Sequence, residues 1–313
     1  MNRTGSHRAD AKAKLTRLVN RAPEVMVKVT GRTRDGEHLR AHLNYISRQG
    51  VLEMDYSDGD ALTGQPAIRD VAAAWSELAA GDRRTRAGGP IGLSVVLSMP
   101  RGADAVAVRD AARAWAAEVF ADRFAYLLAL HTDTGHPHVH VAVCARGGMG
   151  ERLNPKKVHL EHWRQVFAQA LRDRGVEAEA TPRRARGVTR KPERMALRKI
   201  GERYRRGAGE IAQVRRSAYH EAARAALGRD ERPVWEARTL SRQVHVRSLY
   251  LAQAKLLSRS PDPADRALAA KVEAFVRSMA PPDTQRLALA RELRVRNLAP
   301  HEPPSGRGRE RTR

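Results

Sequence analysis

The run His131-Thr132-Asp133-Thr134-Gly135-His136-Pro137-His138-Val139-His140-Val141-Ala142-Val143 constrains this chain more than any other stretch. From Pro137 onward it alternates as a strand does. His138, His140 and Ala142 fall on one face, and Val139, Val141 and Val143 on the other. Two imidazoles two residues apart on a strand stand roughly 7 Å apart, at ~3.3 Å rise per residue. That spacing lets both reach one ion, since metal–nitrogen bonds run ~2.0–2.1 Å. The preceding run Phe124–Leu130 is also strand-like and ends at His131. The connection Thr132–His136 is short and contains Gly135, which predicts a hairpin. Folding back in this way brings His131 beside His138 and His140. A lone His-x-His is a weak signal, more often packed or solvent-facing than functional. The third histidine and Asp133 in the turn are what make a metal site the expectation here. A ligating imidazole needs an acceptor for its other nitrogen, which Asp133 or His136 could supply.

At 313 residues the chain has room for one sizeable domain plus an extension, at ~100–200 residues per domain. A net charge of +23 and a pI near 11.2 favour a polyanionic partner, nucleic acid first and an anionic membrane second. No run of ~18 apolar residues is present, so no transmembrane helix and no membrane insertion are expected. Met1–Lys14 is polar and lacks the apolar core of a signal peptide, so the expected compartment is the cytoplasm. Cys144 is the only cysteine, which excludes an internal disulfide and a cysteine-based zinc site. Its place at the end of a strand reads as buried and inert. Aromatic residues make up only 4%, which argues against a broad base-stacking platform.

Residues 1–22 read as a flexible basic arm and Val25–Thr30 as a first strand. Glu37–Arg48 has helical spacing, with Leu39, Leu43 and Ile46 on one face and Gly50 as the stop. A short strand Val51–Tyr56, a turn at Asp58-Gly59-Asp60 and a helix Ile68–Ala80 follow. Gly81–Pro90 sets Arg83, Arg84 and Arg86 among glycines, as a mobile basic loop would. Ile91–Met99 is apolar throughout, like a central strand. Asp104 can cap the helix after it. Beyond the histidine hairpin, Asn154-Pro155-Lys156-Lys157 leads into a helix over Leu160–Asp173. This order argues for an α+β fold, a central antiparallel sheet with helices packed on it. A parallel βαβ arrangement fits less well, because the histidines lie on a hairpin.

From Thr181 the composition shifts. Arg183, Arg184, Arg186, Arg190, Lys191, Arg194, Arg198 and Lys199 crowd a short stretch. The remainder is rich in Ala, Arg and Leu and reads as helices broken near Gly228, Pro233, Pro261 and Pro281-Pro282. Residues 190–300 are thus a basic, mostly helical domain, and residues 301–313 a disordered tail. The bland reading of the cluster is a solvated surface. The one-sided excess of charge favours phosphate contacts, for which Lys156 and Lys157 are further candidates.

If the polyanionic partner is DNA and the chain breaks its phosphodiester while keeping the bond energy, the nucleophile must be a side chain that retains the phosphate. Tyrosine can do this, but with a free pKa near 10 it needs a metal or base to help. Six tyrosines are present: Tyr45, Tyr56, Tyr126, Tyr204, Tyr219 and Tyr250. Tyr126 falls on the strand face opposite His131, a core position. Spacing does not choose among the others.

The motif HTDTGHPHVHVAV resembles the histidine motif of conjugative relaxases of the HUH endonuclease superfamily. It is closest to the MOBP branch, which contains the plasmid MobA-type proteins and the T-DNA border endonuclease. Leu43-Asn44-Tyr45-Ile46-Ser47-Arg48-Gln49-Gly50 resembles that branch's nucleophile motif. The likeness runs from about Val25 to about Thr189, so residues 23–189 would form the nuclease domain. It implies a sheet with the histidines on its middle strands, and Tyr45 as nucleophile with Tyr56 as runner-up. It implies that His131, His138 and His140 hold a divalent metal, Mg or Mn in use, with Zn, Ni or Co accepted in vitro. Asp133 would orient a histidine or accept the Tyr45 proton, and His136 would support a ligand or contact DNA. The implied activity is nicking and rejoining of single-stranded DNA at an origin of transfer, through a 5′-phosphotyrosine adduct, for plasmid mobilisation. The implied partners are that DNA, relaxosome accessory proteins and the coupling protein of a secretion channel. No GxxxxGK[ST] loop occurs, so unwinding would need another protein. The basic arm ahead of the first strand departs from relaxases that carry the tyrosine near their start. Two alternatives stand: a replication initiator or transposase of the same superfamily, and a non-enzymatic basic nucleic-acid-binding protein with a structural metal.

Overall fold

A computed structural model describes residues 3–82, 89–120, 123–189, 193–228 and 232–298. The chain divides into two compact units, Met1–Thr181 and Pro182–Arg313. The division falls at Thr181, the residue from which the composition shifts.

The first unit is built on six strands: β1 (Met26–Thr33), β2 (Met54–Tyr56), β3 (Ala61–Leu62), β4 (Gly92–Ser98), β5 (Tyr126–His131) and β6 (His138–Cys144). They form one sheet in the order β1-β4-β6-β5-β2-β3, antiparallel at every pairing. The expected α+β class is what the chain adopts, and the histidine hairpin β5–β6 lies in the middle of the sheet. Because β4 is covered on both faces, all seven of its residues are buried, which is why it reads as an unbroken apolar run.

Each face carries its own core. Val139, Val141 and Val143 of β6 join Tyr126 and Leu128 of β5 beneath α4 (Ala105–Phe120) and α5 (Lys157–Arg172), with Trp115, Phe120, Trp163 and Phe167 at the centre. Tyr126 is therefore a core residue, as its strand phase predicts. The opposite face sets Leu127, Ala129, Ala142 and Cys144 against α2 (Gly36–Ile46) and α3 (Gly64–Gly81). The period-2 alternation of β6 thus sorts valines to one core and histidines to the other face.

Residues expected as a loose arm form helix α1 (Arg3–Val19). Its C-terminal end is fixed rather than free: Leu18 and Ala22 are buried, and Arg17 pairs with the buried Glu179 at 2.9 Å. The second unit contains α6 (Met195–Arg205), α7 (Gln213–Ala226), α8 (Val234–Ser258), α9 (Pro263–Ser278) and α10 (Gln285–Leu298). The breaks before α8, α9 and α10 fall near Gly228, Pro233, Pro261 and Pro281-Pro282 as expected, while the one between α6 and α7 was not among those expected. No described helix is long and apolar enough to cross a membrane.

Helix α2 depends on Leu39, Leu43 and Ile46, each almost wholly buried against the sheet. Asp35 caps its start by accepting the His38 backbone N–H at 2.7 Å. Leu43→Ala is expected to lower the stability of the first unit by about 2–5 kcal/mol, the cost of a buried leucine plus its cavity. Urea denaturation read by tryptophan fluorescence measures this. A change below about 0.5 kcal/mol would mean that α2 is not held by this contact.

Candidate active site

At the open end of the α2-covered face, strand β5 delivers His131 and strand β6 delivers His138 and His140. The register pairs His131 directly with His138, and Ala129 with His140. Ring centroids are 5.2 Å apart for His131 and His138, 4.5 Å for His131 and His140, and 5.2 Å for His138 and His140. One nitrogen from each ring lies within 4.8 Å of the other two. Two nitrogens on one tetrahedral ion stand about 3.4 Å apart, so small side-chain rotations close the set.

The second nitrogen of two of these rings is already held. His131 Nε2 donates to the Ile46 carbonyl at 2.6 Å, and His138 Nδ1 donates to the His136 carbonyl at 3.0 Å. Such bonds fix the tautomer and orient the ring, as ligating histidines require. His136 therefore contributes through its backbone. Charge fits the same purpose. Burial pushes His140 down to about 3, helped by the neighbouring His131, His138, His42 and Arg48. Burial also lowers His131, against the opposing pull of the Ile46 carbonyl. Neutral imidazoles present lone pairs, so the donor set suits a divalent cation with coordination positions left over.

Tyr45 sits on the last turn of α2, more than half exposed. Its ring meets the edge of His140 at 5.7 Å and 89°, and Arg48 lies 5.9 Å from its centroid. Arg48 is the residue that sequence reasoning overlooked. Its guanidinium forms an ion pair with Asp133 and stands 3.4 Å from His131 Nδ1. It reaches this place because the chain turns left-handed straight after α2: φ is 52° at Arg48, 63° at Gln49 and 84° at Gly50. A Cβ at Gly50 would come within 2.7 Å of the Gly64 backbone, so only glycine lets the two segments touch. Strained non-glycine residues are expected where surrounding structure over-determines them, often at a functional site. Asp133 accordingly lies on Arg48 rather than on a histidine nitrogen.

His42 was also missed. It stands one turn before Tyr45, its Nε2 2.8 Å from Ser94 Oγ, and burial lowers its pKa first, with His38 adding to the effect. The signal was present in the i, i+4, i+7 spacing of His38, His42 and Tyr45 along α2. The remaining tyrosines lie elsewhere. Tyr56 accepts the Trp75 indole N–H at 3.4 Å, and Tyr250 donates to the Ala185 carbonyl at 2.9 Å. Tyr204 and Tyr219 are exposed on the second unit.

Of the basic candidates, Lys156 and Lys157 are exposed at the start of α5, and Arg183 and Arg184 are exposed on the second unit, with Arg186 half-buried. Arg83, Arg84, Arg86, Arg190 and Lys191, like the tail 301–313, lie outside the described residues.

Residues 45–176 match the family described as relaxase, MobA/VirD2-like, nuclease domain. The match begins on Tyr45 and spans all three histidines. This part of the chain is similar to the nuclease domain of the MobA/VirD2-like relaxases. The T-DNA border endonuclease VirD2 of Rhizobium radiobacter is 29% identical over 208 residues, covering 56% of this chain and 48% of that protein. VirD2 of Agrobacterium fabrum is 28% identical over 191 residues, covering 54% of this chain and 42% of its own length. The chain thus aligns with about half the length of these curated relatives. Among solved structures, the MobM relaxase domain bound to 26-nucleotide pMV158 oriT DNA is similar at 13% identity and a TM-score of 0.38. The overlap covers 51% of this chain and 91% of that one. Within the matched segment, the histidine cluster lies on the two middle strands of the sheet.

Proposed function

We propose that this chain is a site- and strand-specific DNA transesterase that nicks and rejoins single-stranded DNA at an origin of transfer, for mobilisation of a plasmid or similar element. The observation that carries this reading is the tyrosine ring set edge-on against His140, one of a cluster of three convergent imidazoles. Tyr45 Oη attacks the scissile phosphorus. The new bond is a phosphotyrosine ester on the 5′ end, the P–O3′ bond breaks, and the 3′ oxygen leaves as a hydroxyl after taking a proton from solvent. The phenol proton passes to Asp133, whose carboxylate Arg48 ties to the same end of the site. His131, His138 and His140 would hold a divalent cation, Mg or Mn in use and Zn, Ni or Co as substitutes, which would supply positive charge for the phosphate oxygens.

His140 and Arg48 flank the tyrosine ring and limit how it can swing, which favours an in-line approach. Lys156, Lys157, Arg183, Arg184 and Arg186 are proposed to hold phosphates, together with Arg83, Arg84, Arg86, Arg190 and Lys191. Accessory proteins and a coupling protein of a secretion channel complete the proposed partners, in a bacterial cytoplasm. The domain assignment follows: a nuclease domain to about residue 189, a basic helical domain to about 300, and a tail.

A transesterase is reversible, whereas a hydrolytic nuclease is not. Two single-stranded oligonucleotides that carry the same nick site but differ in length are expected to exchange ends and give hybrid-length products. Denaturing gels read the outcome. Cleavage that leaves a free 5′ phosphate, with no hybrid and no protein-linked DNA, would leave a hydrolytic metallonuclease in its place.

A further inference from the structure

The second unit holds a cavity of ≈ 190 Å³ between the turn at residues 183–188 and helix α8. Its walls are fixed by bonds to main chain. Tyr250 Oη ties α8 to the turn through the Ala185 carbonyl at 2.9 Å. Gln243 exchanges two bonds with the Asp283 backbone, at 2.8 and 2.7 Å, and Arg247 donates to the Ala280 carbonyl. The turn closes on Met279 because Gly187 sits at φ 69°. A Cβ there would stand 2.7 Å from the Met279 side chain.

The lining has an uneven chemistry. Arg184, Arg242 and Arg247 supply three guanidinium groups, and among the described residues no carboxylate lines the cavity. The carboxylates on neighbouring elements are engaged elsewhere: Glu236 with Arg286 and Asp283 with Arg291. Val188, Val246 and Met279 add an apolar wall, and Val188 is left 43% exposed. Guanidinium forks match phosphate oxygens. An apolar wall beside them matches a sugar or base face. An acidic peptide would satisfy the cations but leave that wall wet.

We propose that this cavity is a nucleotide-binding subsite. It takes one phosphate-linked nucleoside, with the phosphate on Arg184 and Arg242 and the sugar and base against Val188, Val246 and Met279. The proposal rests on the reading of the chain as one that handles single-stranded DNA, and it assigns part of that strand to the second unit.

The test uses the full chain and calorimetric titration with trideoxythymidylate, which is too short to carry a nick site. Arg184→Gln/Arg242→Gln is expected to weaken binding by about tenfold or more, two charge-assisted contacts being lost. Arg259→Gln/Arg296→Gln removes the same charge from exposed positions outside the cavity and is expected to change binding by less than about twofold. Equal loss in both pairs would reduce the effect to general electrostatics and overturn the subsite. So would displacement of the trinucleotide by inorganic phosphate, or by an oligoglutamate peptide, at equal concentration. Displacement by thymidine monophosphate as effective as by the trinucleotide upholds the subsite and identifies a free nucleotide as its source. All four arginines are exposed, and unchanged unfolding midpoints verify that the variants are folded. Strand transfer measured on the same proteins separates the two readings. Transfer absent from the wild type, with the two pairs still discriminated, sinks the transesterase alone. Transfer intact, with no discrimination, sinks the subsite alone.

Discussion

Tyr45→Phe is expected to abolish covalent attachment and strand transfer, a loss on the order of a thousandfold or more, while DNA affinity changes by less than about twofold. The substitution removes one oxygen and keeps the ring. The edge contact with His140 at 5.7 Å and the approach of Arg48 at 5.9 Å are made by that ring, so the surrounding site stays as it is. More than half of Tyr45 is exposed, so the phenol carries little of the fold's packing. Gel detection of a protein–DNA adduct and a binding titration read the two effects separately. An adduct that persists in Tyr45→Phe would move the nucleophile to another tyrosine. Tyr56 is the next to test, although its hydroxyl is held by the Trp75 indole.

How far the sequence could be read differs from residue to residue, for physical reasons. The histidine hairpin was legible because a strand has a fixed period of two, so faces follow from counting. The core role of Tyr126 followed from the same count. Helix α2 was legible through Leu39, Leu43 and Ile46, but only its apolar side was read. His42 borders that apolar side and reaches the buried Ser94, but a histidine at the margin of an apolar stripe carries no signal of its own. Arg48 was invisible for a different reason. Its place depends on left-handed backbone at Arg48 and Gln49, which neither side chain favours, so only Gly50 hinted at the turn. Helix α1 was taken for a loose arm because it lacks an apolar stripe. Its Ala, Lys, Arg and Leu content favours a helix through propensity instead. Strand β3 has two residues, too few for any alternation to register. In the second unit the breaks before α8, α9 and α10 were legible from glycine and proline, but the one between α6 and α7 was not read. The wholly buried Glu236–Arg286 pair was not, since a buried glutamate looks like an exposed one until its partner is known.

Loss of a single imidazole is expected to be nearly as damaging as loss of the phenol, because three ligands are few. His138→Ala or His140→Ala is expected to weaken divalent-ion affinity by about a hundredfold or more, given that removing only a supporting partner of a ligand costs 10–100-fold. Competition with a metallochromic dye, read with Mn as the probe, measures it, and a chelator is expected to stop strand transfer in the wild type. The two substitutions differ in a second readout. His140 is held down to about 3 from an ordinary 6.5, by burial first. As pH falls below 6.5 the unfolded chain takes up a proton at this histidine and the metal-free folded chain does not. The fold's stability is therefore present above that pH and is lost progressively toward pH 3. His140→Ala removes this contribution and is expected to flatten the acid limb of stability, measured by urea denaturation without metal between pH 7 and 4. Unchanged Mn affinity in both variants would show that the histidines serve packing alone. An acid limb as steep in His140→Ala as in the wild type would show that His140 is not the group shielded from protons.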